Sequence, residues 1–203
     1  MKKCILALLV FCACHTVVSM DASDKLESIR LILLSCGDPD GPTQEEELRA
    51  FAIAHDISNT EMSSMLIELA GPGLAAHAEP LQRELVDGAL WGLGCFGGAK
   101  EKEFVRNVMR TSRDSHLQKA AVRVGIRMMP EGWEEWVREV VSDKRYDEMV
   151  RFDAYEEAFR TGRGGDEKTR MHVGEVLLDL IGEDPYEGNR ERLRRWSAEL
   201  LAR

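Results

Sequence analysis

The run Leu85-Val86-Asp87-Gly88-Ala89-Leu90-Trp91-Gly92-Leu93-Gly94 returns in altered form 32 residues later as Leu117-Gln118-Lys119-Ala120-Ala121-Val122-Arg123-Val124-Gly125-Ile126. A looser third copy begins at Val150, 33 residues further on, with Ala154 under Ala121 and Ala158 under Gly125. A period of this length is that of a stacked helix-hairpin repeat, in which one amphipathic hairpin cannot bury its apolar side alone and must lie against the next. The expected fold is therefore all-α, a right-handed stack of antiparallel helix hairpins. Repeat scaffolds serve many roles, so the period constrains architecture far more than activity.

Apolar-periodic segments alternate with Gly/Pro/Asp breaks along the whole chain, and none shows a sustained period of two. The breaks are Cys36 to Pro42, Gly71-Pro72-Gly73, Gly97-Gly98, Thr161 to Gly165 and Gly182 to Pro185. They leave about ten helices, near 22–36, 43–56, 59–70, 79–96, 99–111, 114–129, 131–143, 145–161, 166–181 and 188–202, with ends uncertain by about 2–4 residues. Short connections make successive helices antiparallel neighbours. Thr43-Gln44-Glu45-Glu46 and Ser58-Asn59-Thr60-Glu61 fit the capping box. Pro80, Pro130 and Pro185 stand where first-turn prolines open helices.

Asp114 to Gly125 resembles the second helix of a HEAT-like repeat: an acid near the cap, then an apolar residue, a basic one, paired alanines and a glycine near the end. Leu85 to Gly94 matches it in Ala89, Leu90, Leu93 and Gly94, with Asp87 where Lys119 stands. The third copy has Phe152-Asp153-Ala154 in place of the paired alanines. The resemblance covers roughly residues 79–162 and implies an α-solenoid; residues 20–70 and 166–203 would then be divergent repeats or caps.

The first nineteen residues read as an export signal, with Lys2 and Lys3 ahead of the apolar run Cys4 to Ala13 and small residues at Val17-Val18-Ser19. That run falls short of the ~20 residues that cross a bilayer, so cleavage before Met20 is expected, leaving one domain over residues 20–203 and no stable transmembrane segment. Lipoprotein processing at Cys14 ranks second, because Phe11 stands where a small aliphatic is usual. The expected location is periplasmic or secreted. Loss of Lys2 and Lys3 with no acid takes the net charge from −9 to −11. So acidic a chain lacks the basic face that phosphate contacts need, which argues against nucleic acid as partner. Cys36 and Cys95 survive cleavage. They can pair in an oxidising compartment, or stay as buried thiols, and spacing alone gives no distance between them.

No motif demands a reaction. Gly92-Leu93-Gly94-Cys95-Phe96-Gly97 fits G-x-G-x-x-G, yet a dinucleotide site needs a strand before it, and here the run closes a helix. Gly97-Gly98-Ala99-Lys100 lacks the Gly-Lys-Ser/Thr order of a P-loop. Both are read as C-cap glycines in the left-handed conformation. His55, His77, His116 and His172 form no i, i+4 pair and no H-E-x-x-H, so neither a metal nor any other cofactor is expected. Glu45, Glu46, Glu47, Glu134 and Glu135 read as solvated first-turn acids.

Lys119, Arg123 and Arg127, at i, i+4 and i+8, line one face of one helix. Pairing to acids on neighbouring helices is the plain reading, and an exposed recognition strip the sharper one. The repeat offsets set Asp87 and Trp91 on one side of this strip and Phe152, Glu156 and Arg160 on the other. Aromatic and arginine side chains are favoured anchors in protein interfaces, so Asp87, Trp91, Lys119, Arg123, Arg127, Phe152 and Glu156 form the candidate partner-binding surface of a non-enzymatic scaffold. Its partner would be another protein of the envelope or exterior. Trp133 and Trp136 share a face with Val137, Val140 and Val141 and are expected to lie between repeats. The last helix sets Leu193, Trp196, Leu200 and Leu201 behind Arg190, Arg192, Arg194 and Arg195, the amphipathic pattern of a terminal cap. The competing function is a small-molecule- or metal-dependent enzyme with a site in the concave groove, drawing on His77, His116 and nearby carboxylates.

Overall fold

The computed structural model describes residues 20–35, 43–75, 78–128 and 132–202. Among them are ten α-helices, two short 3-10 turns and no strand, as the all-α expectation requires. The helices are α1 (Ala22–Leu34), α2 (Gln44–Ala54), α3 (Asn59–Ala70), α4 (Pro80–Phe96), α5 (Ala99–Thr111), α6 (Ser115–Met128), α7 (Trp133–Ser142), α8 (Glu148–Gly164), α9 (Glu167–Asp179) and α10 (Glu187–Leu201). The 3-10 turns are Gly71–Leu74 and Leu180–Gly182. No helix among the described residues is long and apolar enough to cross a membrane. The expected export signal, Cys14, Cys36 with any pairing to Cys95, His77 and Pro130 all lie outside the described residues.

Sequence-local chemistry sets several boundaries. Thr43 and Glu46 form the expected capping box, the Thr43 amide donating to Glu46 Oε2 at 2.8 Å and the Glu46 amide to Thr43 Oγ1 at 3.3 Å. Ser58 caps α3 through the Glu61 amide, but the Glu61 carboxylate turns to Lys25 Nζ at 3.1 Å, tying α3 to α1. Pro80 opens α4 as expected. Pro185 instead precedes the N-cap Tyr186, whose amide donates to Asp184 Oδ1, so it lies outside α10. Gly97 corrects the left-handed C-cap expectation: no glycine among the described residues has a positive φ. Space explains it better, since a Cβ there would stand 2.6 Å from the Leu93 carbonyl and from Met128 Cε. Helix α8 also runs through the expected Thr161 to Gly165 break as far as Gly164.

The structure forms two compact units that meet between Gly92 and Leu93, inside α4. In the first, α1 touches both α2 and α3. Ile29, Leu33, Leu48, Phe51, Met62, Leu66, Val86 and Leu90 make its core. Gly92 lets α4 come close to Leu48 and Leu66. The Gln44 side chain donates to the Leu33 and Ser35 carbonyls and so closes the end of α1.

In the second unit each helix from α5 to α10 that follows another across a described loop packs on it, and alternate helices meet as well: α6 on α8, and α8 on α10. Ser115 with Asp147, Arg123 with Asp153 and Arg127 with Glu157 advance together along α6 and α8, so these two helices run parallel. The same holds for α5 and α7, through Arg106 with Glu135 and Arg110 with Glu139. Trp133 and Trp136 are buried as expected, and Gly125 admits Trp136: a Cβ on it would fall 2.4 Å from the indole ring. Helix α10 buries Leu193, Trp196 and Leu200, half-buries Leu201 and exposes Arg194 and Arg195.

Candidate functional site

The residues singled out in sequence fall into two groups. Asp87 and Trp91 stand four apart on α4 in the first unit, both half-buried. Lys119, Arg123, Arg127, Phe152 and Glu156 belong to the second unit, where α6 and α8 bring them into one contiguous row.

That row is an ion-pair ladder. Arg123 Nη2 donates to Asp153 Oδ1 at 2.8 Å and to Glu156 Oε2 at 3.2 Å. Arg127 takes Glu157 in a two-pronged grip, at 2.6 Å from Nε and 3.4 Å from Nη2. Arg160 on α8 reaches Glu156 at 3.2 Å and Glu157 at 3.7 Å. The side chains of Asp153 and Glu157 are only 5% and 6% exposed, while those of Arg123 and Arg127 keep 29% and 43%. Buried carboxylates are thus paired with arginine side chains that stay partly exposed, an arrangement that suits arginine's weak hydration and forked donors. Three arginines answer three acids, so the ladder has no net charge. The plain reading of the arginine strip, pairing to neighbouring acids, is what the geometry displays.

At its N-terminal end the row changes character. Asp147 caps α8 through the Val150 amide at 2.9 Å and accepts the Ser115 hydroxyl at 3.0 Å. Burial pushes the Asp147 carboxyl up, but these two donors, the Met149 amide and the charge of Lys119 together outweigh it and hold the carboxyl below its ordinary value. Phe152 is half-buried, tilted against Trp196 at 5.8 Å between ring centres, with the Arg192 guanidinium 4.7 Å over its face. Trp196 stacks in turn on Phe159 at 5.0 Å. Met149, one turn earlier on α8, is 51% exposed. Apolar surface and cations therefore sit side by side here.

Comparison with protein-family models, curated proteins and solved structures finds no match to this chain.

An enzyme site built on His77 and His116 would need nearby carboxylates to converge on them. His116 is exposed on the first turn of α6. No three His, Cys, Asp or Glu side chains among the described residues stand together as a metal site would need. His172 faces α7, its Nε2 at 3.2 Å from Glu134 Oε2 and its ring edge-on to Trp133. Glu134 is shared with Arg138 Nε at 2.7 Å.

A buried polar cluster that no sequence motif marks lies at the α7–α8 turn and the start of α10. Arg151 donates to the carbonyls of Val141, Asp143 and Tyr146 at 2.7, 3.0 and 3.2 Å, satisfying backbone left open at the end of α7 and in the turn after it. The Tyr155 hydroxyl donates to Asp184 Oδ2 at 2.6 Å, and Asn189 Nδ2 bridges the Glu148 carbonyl and the same carboxylate oxygen at 3.2 and 3.4 Å. Burial, and after it the hydrogen bond and charge of Asp184, push the Tyr155 phenol far above its ordinary value. All four side chains are sealed from solvent, so the cluster positions helices and offers nothing to a ligand. A signal was present: Arg151 shares a helix face with Ala154, Tyr155 and Ala158, and a polar residue in such a place needs partners.

Proposed function

We propose that this chain is an exported, non-enzymatic scaffold of HEAT-like hairpins that binds another protein through its second helices, with Lys119, Arg123, Arg127, Phe152 and Glu156 marking the surface of the second unit, and Asp87 and Trp91 the candidate residues of the first. The observation that carries this reading is the register between α6 and α8. Arg123 meets Glu156, 33 residues on, and Ser115 meets Asp147, 32 residues on. The second helices α6 and α8 thus lie side by side, and this supports the reading because solenoids build extended binding faces from such neighbours. Within the row the roles divide. Arg123, Arg127 and Glu156 fasten α6 to α8, while Lys119 and Phe152 supply the charge and the ring for a partner.

The test is an in-cell crosslinking pull-down with the exported, C-terminally tagged protein, comparing wild type with Lys119→Glu/Phe152→Ala by mass spectrometry, after thermal melts show the variant folded. The expected result is a partner captured by wild type and lost from the variant. A folded variant that keeps the partner removes this surface from consideration, and no specific partner from either protein overturns the scaffold reading. Arg123→Glu would be a poor probe, because it sets a third acid against Asp153 and Glu156 and disturbs the stack itself.

A further inference from the structure

We draw no further inference here: the strongest candidate, the exposed Met149 with Phe152 and Arg192 on the solvent side of α8 and α10, belongs to the surface already assigned above, and nothing in the structure shows what covers it.

Discussion

Glu157 illustrates how the environment of a single side chain decides what its ion pair contributes. A pair between two exposed side chains is worth about 0–1 kcal/mol. A carboxylate stripped of water that loses its partner costs more, about 1–3 kcal/mol for a hydrogen-bonded group. Glu157 is nearly sealed and Arg127 is not, so Arg127→Ala should cost about 1–3 kcal/mol in urea unfolding, with Arg160 moderating the loss. Glu157→Gln alone should cost less than that, and the double variant less than the sum of the two. Additivity within ~0.5 kcal/mol would show the pair to be idle. Tyr155 gives a pH-dependent counterpart. Its folded pKa is raised, so its contribution is complete below the unfolded value near ~10 and is lost as pH rises beyond it. From that pH upward wild type should lose stability by up to about 1.4 kcal/mol per unit more than Tyr155→Phe does. Parallel alkaline limbs for the two proteins would contradict this. At neutral pH the same variant, which leaves Asp184 short of a donor, should be about 1–3 kcal/mol weaker than wild type.

Among the elements, caps and glycines explain both what was legible in sequence and what was not. Periodicity located all ten helices of the described residues, because amphipathic spacing survives whatever the packing. The start of α8 was expected near residue 145 and lies at Glu148, since Asp147 takes the cap. The Gly-rich run from Gly162 predicts an end near 161, whereas the helix continues to Gly164. A Cβ at Gly162 would fall 2.8 Å from Val173 Cβ and 3.1 Å from Leu200 Cδ1, so this glycine marks a close approach of three helices. Glycine that ends a helix and glycine that lets a neighbour in look alike in one sequence. The arginine strip was legible as a face but not as a joint, because the acids that answer it, Asp153 and Glu157, are recognisable only once α8 lies beside α6. Asp147→Ala should cost about 0.5–2 kcal/mol at neutral pH. The folded carboxyl is lowered, so its contribution is present above the unfolded value near ~4 and fades as pH falls through the folded one. The gap to wild type should therefore close at acid pH, and urea midpoints that differ equally at both pH values would refute this. Gly125→Ala opposes about 1 kcal/mol of gained helix propensity to a clash with Trp136. Overpacking of a rigid indole typically costs about 1–3 kcal/mol, so a net loss in melting temperature is expected; a gain would mean that the ring yields freely.

At the scale of the whole molecule, the second unit is organised around α8, which touches α6, α7, α9 and α10. Amides that open only with the whole unit belong in such an element. In native-state hydrogen exchange the slowest amides of residues 93–203 should lie in α8, and slower exchange in α10 would contradict that. The unit finishes on α10, whose inner side is apolar and whose outer side carries Arg194, Arg195 and Glu191. The Arg123–Glu156 contact has a consequence for how such a chain can change over generations. The two residues occupy the same place in consecutive copies of the repeat, yet one is a cation and the other an anion. A duplicated α5–α6 hairpin laid on the original in the same register would bring arginine against arginine, and a duplicated α7–α8 hairpin would bring glutamate against glutamate, like charges that repel. The hairpins are therefore not interchangeable bricks. The α5–α6 hairpin is fitted to the α7–α8 hairpin that follows it, and exchanging one for a copy of the other would set like charges together at this joint.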